Sequence, residues 1–241
     1  MRVYYLNLFK IKRMLMIGFL FGVVVIIMAM TLIRQVPRSS PVQARPYALY
    51  KMQTNQKVAA LTFNVSQDSK NVDSLLDSLQ NTHATFFISA FWVKNNPVLA
   101  RRIIKEGHEI GMLHNSSPGS VEKMKEEILE TSQLINKIVG KPPALTRVSK
   151  EGCNDLFLIT ASDAGYPVVQ WSIDIFNQKN NDKDSIVNDI HKNIHPGAII
   201  LLPCSAEVAK TLQTLTKKLT GDGYKLITVS EMVKPGPAGT E

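Results

Sequence analysis

The chain has 241 residues, enough for one domain with an appendage or for two small domains. Hydrophobic residues make up 44% and charged residues 20%, which excludes wholesale disorder. The formal charge of +8 is concentrated in residues 1–46, where Arg2, Lys10, Lys12, Arg13, Arg34, Arg38 and Arg45 stand without an acid. The remaining body is nearly neutral, so the basic surface that tracks phosphates is missing and nucleic-acid binding is set aside.

Residues 1–13 read as a basic cytoplasmic N-terminus. Residues 14–33, MLMIGFLFGVVVIIMAMTLI, contain no charge. As a helix they would span the hydrocarbon core of a bilayer, and they have no polar face of the kind a core helix shows. The apolar run is long for a cleaved signal peptide, so the reading is an uncleaved single-pass anchor. A slight excess of basic residues before it points to N-terminus inside and body outside. Residues 34–56 read as a linker and lead-in with Pro37, Pro41 and Pro46, residues 57–233 as the folded domain, and residues 234–241 as a loose tail.

Within the domain, strand-like runs are predicted at 58–63, 85–89, 109–113, 144–147, 167–171, 198–202 and 224–228. Helical patterns lie between them. One begins near Val72. The clearest covers 120–139, with Val121, Met124, Ile128, Leu134, Ile135 and Ile138 near a period of 3.6 and Gly140 as its stop. Another covers 206–219 and is expected to end at Gly221. Strands alternating with helices imply an α/β fold with a mainly parallel sheet or barrel. In such units the functional groups sit at the C-terminal ends of the strands. The first strand runs into LTFNVSQD, whose tip, Asn64-Val65-Ser66, carries no charge.

Six segments in order resemble the NodB-type polysaccharide deacetylases: LTFNVS (61–66), HATFFIS (83–89), RRIIKEGHEIGMLHNSSP (101–118), KPPALTR (141–147), VVQWSIDIFN (168–177) and GAIILLPC (197–204). The anchor and the YALYK lead-in (47–51) look most like the spore-associated PdaB-type subgroup. The resemblance implies a distorted (β/α) barrel of about seven strands and an extracytoplasmic, N-acetylated glycan such as peptidoglycan or spore cortex. It also implies amide hydrolysis by a water bound to zinc or another divalent metal, with a carboxylate base and a histidine acid.

The positions that carry this chemistry in the family are altered. The base and first metal ligand, two Asp after Thr-Phe, are Asn64 and Val65 here. The two metal-binding His are Leu113 and Ser117, and His114 stands one place off register. The catalytic His of the last motif is Pro203. Arg147 matches the third-motif arginine and Asp174 an early acid of the fourth, whose later Asp-Trp pair has become Asn177-Gln178. Asn cannot accept a proton at neutral pH, and Val65 has no donor atom. The expectation is therefore a family member without metal, cofactor or catalytic residue, leaning to a pseudoenzyme that binds glycan or a protein partner. An active deacetylase with unorthodox ligands and a structural envelope component stand as alternatives.

Each surviving residue has an ordinary reading beside the functional one. Asn64 either binds a sugar amide or hydroxyl or satisfies a local turn. His114 is either a replacement ligand or a loop histidine. Arg147 and Asp174 are expected to hold each other in place. Cys153 and Cys204, the only cysteines, are two free thiols, a disulfide across the vacated site, or part of a soft metal site with His114. Phe91, Trp92 and Trp171 are expected in the core, and Phe176 is the aromatic expected to be exposed to a glycan.

Overall fold

The computed structural model describes residues 46–114, 119–148, 153–175 and 183–234, together with Met16 and Phe19. The chain divides into two compact units, Met1–Ala44 and Arg45–Glu241. The expected anchor, 14–33, and the tail beyond Lys234 lie outside the described residues, apart from Met16 and Phe19, which are helical and exposed. Among the described residues no helix is long and apolar enough to cross a membrane.

The second unit alternates strand and helix. Its order is β1 (Val58–Val65), α1 (Val72–Ser78), β2 (Thr85–Ile88), α2 (Ala90–Asn95), α3 (Pro97–Lys105), β3 (Glu109–His114), α4 (Val121–Val139) and β4 (Thr146–Val148). Then follow α5 (Asp155–Asp163), β5 (Ile173–Asp174), α6 (Lys183–Asn193), β6 (Ala198–Leu202), α7 (Ala206–Gly221), β7 (Lys225–Leu226) and α8 (Val229–Val233). The strands form one parallel sheet in the order β4-β3-β2-β1-β6-β5, with β7 beside the start of β1. Bridges from Thr146 to Val168, Val169 to Leu49 and Lys51 to Ala198 link the two edges, so the sheet curls around an interior.

Side-chain alternation along β1 sets the two sides of this curl. Leu61, Phe63 and Val65 enter a large apolar cluster shared with Leu75 of α1, Ile103 of α3, Met124 and Ile128 of α4 and Leu212 of α7. Ala60 belongs to a smaller inner cluster with Phe87, Leu113, Leu145, Val169, Ile199, Val229 and Met232. Asn64 shares the alternation of Ala60 and Thr62. A strand covered on both sides reads as a near-continuous apolar run, which is why β1 was legible without alternation in its sequence.

The helix over 120–139 forms as its period predicts, with Met124, Ile128 and Ile135 buried. Ser120 caps its N-terminus by accepting from the Lys123 N–H, and Gly140 ends it at φ 79°. The helix expected to end at Gly221 does so, with Asp222 as its C-cap. Gly223 follows at φ 87°, its N–H donating to the Thr220 carbonyl while Tyr224 N–H reaches Leu219. The left-handed residue closes the helix.

The strand expected at 167–171 does not form beyond its bridges, and a strand appears two residues later at Ile173–Asp174. One cause is local and the other long-range. Pro167 has no N–H, and the carbonyls of Val169 and Gln170 accept from the Arg147 guanidinium rather than from a ladder partner.

The base of the sheet is tied down by Glu109, whose carboxylate accepts from Thr85 Oγ1 at 2.8 Å and from Ser230 N–H at 3.1 Å. Thr85 Oγ1 in turn accepts from Val229 N–H. These bonds satisfy backbone donors at the start of α8. At the same end Gly197 sits at φ 73° with the Met52 carbonyl where its Cβ would be, which lets the lead-in lie against β6.

Candidate functional site

A cleft of about 680 Å³ opens where β1, β3 and β6 end. Asn64, Leu113, His114, Pro203 and Cys204 line it, together with Ser66, Asp68, Ser69, Lys70 and the first residues of α7. The structure thus brings the altered family positions Asn64, Leu113 and Pro203 to one place.

Arg147 organises the floor. It has no exposed surface. Its Nε donates to the Val169 carbonyl at 3.0 Å and its Nη2 to the Gln170 carbonyl at 3.1 Å. Its Nη1 donates to Thr62 Oγ1 and to Asn64 Oδ1, each at 3.0 Å. The guanidinium lies over the Phe87 ring, 3.8 Å from its centroid, with Trp171 at 5.4 Å. Gly111 leaves room for that ring, because a Cβ there would lie 2.6 Å from Phe87 Cδ1. Burial drives the Arg147 pKa well below its ordinary value.

None of these four bonds goes to Asp174, so the expected Arg147–Asp174 pairing is replaced by an Arg147–Asn64 contact. Asn64 is therefore more than a turn residue. Its amide oxygen holds the guanidinium as a carboxylate would, without the charge. It retains the geometry and loses the basicity.

Val65 has no exposed surface and its side chain packs in the large cluster. Leu113 points to the inner cluster. Two carbon side chains stand where ligand atoms would be needed. His114 follows Leu113 and so faces the other side of β3. Its Nδ1 donates to Glu127 Oε1 of α4 at 2.9 Å, its ring lies 5.7 Å from that of Phe157, and its buried Nε2 has no partner among the described residues. The alternation of the strand, rather than distance in sequence, keeps His114 from standing in for Leu113. Ser117 and Phe176 lie outside the described residues. Asp174 ends β5, next to β6.

Of the alternatives for Cys153 and Cys204, the structure has two free thiols. Cys204 donates to the Asn64 carbonyl at 3.4 Å, and burial pushes its thiol up to about 12. A buried thiol held neutral in this way is a poor nucleophile near pH 7. Burial raises the Tyr50 pKa, and the neighbouring Cys153, which interacts with the Tyr50 hydroxyl, adds to it. Among the described residues no three His, Cys, Asp or Glu stand close enough together to hold a metal ion.

Among the aromatics, Trp92 is in the core as expected, Trp171 is half-buried against Arg147, and Phe91 is exposed, contrary to expectation. No motif or spacing singles out Glu127 or Gln170. Glu127 sits on a helix face rich in charges, where one carboxylate looks like another. Gln170, which donates to the Val148 carbonyl, is found only by knowing that its chain segment crosses β4.

The family model for polysaccharide deacetylase matches residues 51–169. A peptidoglycan-N-acetylglucosamine deacetylase of Bacillus cereus is 36% identical over 200 residues, covering 78% of this chain and 93% of that protein. The peptidoglycan-N-acetylmuramic acid deacetylase PdaC of Bacillus subtilis is 35% identical over 188 residues, 74% of this chain but only 39% of that longer protein. Among solved structures, a wild-type CE4-family pseudoenzyme from Bacillus anthracis superposes with a TM-score of 0.72 at 25% identity, covering 78% of this chain and 69% of that one. With this fold, this cleft and these relatives, the chain belongs to the polysaccharide deacetylase family.

Proposed function

We propose that this protein is a membrane-anchored, extracytoplasmic member of the family that does not carry out metal-dependent N-deacetylation and instead binds N-acetylated cell-wall glycan in the cleft. One observation carries the reading: the base position is an amide hydrogen-bonded to a buried arginine, and the neighbouring ligand positions are buried hydrocarbon. Zinc or another divalent cation needs about three protein donors with nitrogen, oxygen or sulfur atoms. Val65 and Leu113 offer none, Cys204 gives its hydrogen to the Asn64 carbonyl, and His114 is bonded to Glu127. The donor set does not fit the family's metal.

What the cleft retains suits polyol and amide groups. Asn64, Ser66, Ser69 and Ser205 present donors and acceptors, with Asp68, Lys70 and Glu207 around them. The single-pass anchor with the N-terminus inside rests on the uncharged segment 14–33 and its flanking charges. A role in sporulation rests on the PdaB-type resemblance alone.

The test is direct. Detergent-solubilised full-length protein equilibrated with zinc and then desalted is expected to retain less than about 0.1 equivalent. It is expected to release no acetate from N-acetylglucosamine oligomers above the level without protein. One tightly held equivalent of zinc together with acetate release would overturn the reading in favour of an enzyme with rebuilt ligands.

A further inference from the structure

The end of the sheet opposite the cleft carries a buried donor. A recess of about 740 Å³ opens there between residues 76–83, the end of α3 and the start of β3. His108 lines it, with a side chain only 3% exposed. The ring's Nδ1 accepts from the Ala84 N–H, so the proton sits on Nε2, at the other edge of the ring. The nearest carboxylate oxygen among the described residues is Glu106 Oε2 at 4.0 Å, too far for a hydrogen bond. Glu106 Oε1 is held by Arg102 Nε at 2.7 Å, which leaves Oε2 as the acceptor beside His108.

The recess thus has a donor and an acceptor side by side that do not satisfy each other, and an unmade hydrogen bond at a buried side chain is costly. An extended peptide residue turns its own N–H and C=O to the same edge and supplies both partners at once. The acetamido group of a sugar holds its N–H and C=O on opposite sides of a trans amide and supplies only one. The walls agree with main chain. Gln80 and Asn81 add side-chain amides, Leu76 and Leu79 add an apolar face, and among the described residues no Phe, Tyr or Trp lines the recess for a pyranose to stack on. Asn81, Thr82 and His83 also border a further recess of about 790 Å³ along β7, which leaves room for the next residues of the same segment.

We infer that this groove binds an extended segment of a partner protein. The C=O of one residue of that segment accepts from His108 Nε2–H, and the N–H of the same residue donates to Glu106 Oε2. Main-chain groups give the affinity, as in strand addition, and the Leu76 and Leu79 wall takes a side chain. The groove and the cleft lie at opposite ends of the sheet, so the inference does not rest on what the cleft takes.

The probe is acetyl-tetra-alanine amide, a peptide with amide groups and methyls but no charge. It is titrated into detergent-solubilised full-length protein carrying isotope-labelled histidine. Magnetic resonance reads the His108 imidazole, identified as the signal missing from His108→Gln. That signal is expected to shift and saturate, with a Kd of about 1–10 mM for so short a segment. Glu106→Ala, at a partly exposed position, is expected to weaken the peptide by about fivefold or more, while the signals of the histidines away from the groove stay where they are and so report an intact fold. The N-acetylglucosamine dimer is expected to leave the His108 signal in place. A His108 signal that the peptide does not move at up to about 50 mM would show that only water fills the groove, and would overturn the inference. Unchanged peptide affinity in Glu106→Ala would overturn it as well. A dimer that shifts His108 as the peptide does would make this a sugar site and overturn the peptide assignment.

Discussion

Replacing Arg147 with Met is expected to lower the unfolding free energy by about 3–5 kcal/mol. The side chain has no exposed surface and serves four acceptors at once. Met matches much of its length and fills much of its volume, but the Val169 and Gln170 carbonyls lose their donor. Thr62 fares better, because its hydroxyl still donates to the Ile200 carbonyl. Each buried group left unpaired costs about 1–3 kcal/mol, and the relief from no longer burying a cation offsets part of the sum. Urea denaturation of the solubilised protein, followed by circular dichroism, measures the difference. A loss under about 1 kcal/mol would remove Arg147 from its place as the strut of the cleft floor.

The same network makes a second substitution informative in the opposite direction. Asn64→Asp puts a carboxylate within hydrogen-bond distance of a buried guanidinium that has no acid among its four partners, and is expected to stabilise the fold by about 1–2 kcal/mol near pH 7. The guanidinium holds the introduced carboxylate below the ordinary carboxylate range. The gain is therefore present above about pH 4 and lost as the pH falls. Urea midpoints at pH 7 and at low pH check both parts; equal midpoints for Asn64→Asp and the natural protein at pH 7 would show that the amide already satisfies Arg147.

The larger pH effect comes from His108, at the opposite end of the sheet. Its Nδ1 accepts from the Ala84 N–H at 3.3 Å, which requires the proton on Nε2. Nε2 is 4.0 Å from Glu106 Oε2, and the ring meets Phe86 edge-on with centroids 5.6 Å apart. Burial pushes the His108 pKa down to about 4, against the attraction of Glu106, while His83 and Arg102 push the same way as burial. The folded protein thus keeps the imidazole neutral where the unfolded chain binds a proton.

Stability from His108 is complete above about pH 6.5, falls as the pH drops towards 4, and changes no further below that. The expected loss is about 2–3 kcal/mol, after allowance for solvent screening at a partly hydrated site. His108→Gln keeps an acceptor for Ala84 and removes the titration. The stability difference between the natural protein and this variant should therefore shrink by that amount between pH 7 and pH 4. A difference that stays constant over this range would show that His108 is not held neutral by the fold.

Much of this molecule is legible in its sequence, for reasons that are local. A helix such as Val121–Val139 announces itself through its period and its caps, because both depend on residues within a few positions of one another. Six of the expected strands coincide with β1, β2, β3, β4, β6 and β7 to within a few residues, and most of them are legible because strands buried on both faces need continuous apolar runs. The family, and the replacement of its chemistry at Asn64, Val65, Leu113 and Pro203, also follow from residue types in order along the chain.

Long-range contacts decided the rest. That Val169 and Gln170 give their carbonyls to Arg147, and so cannot form a strand, depends on residues 22 and 23 positions apart. The partnership of Arg147 with Asn64 spans 83 positions, and no period or spacing encodes it. His114 and Leu113 are neighbours in sequence but face opposite sides of β3, one to Glu127 and the other to the inner cluster. Sequence determined which groups this protein has lost. Tertiary structure decided what the remaining ones touch, because a side chain's partners are set by how the sheet curls and which way each strand residue points.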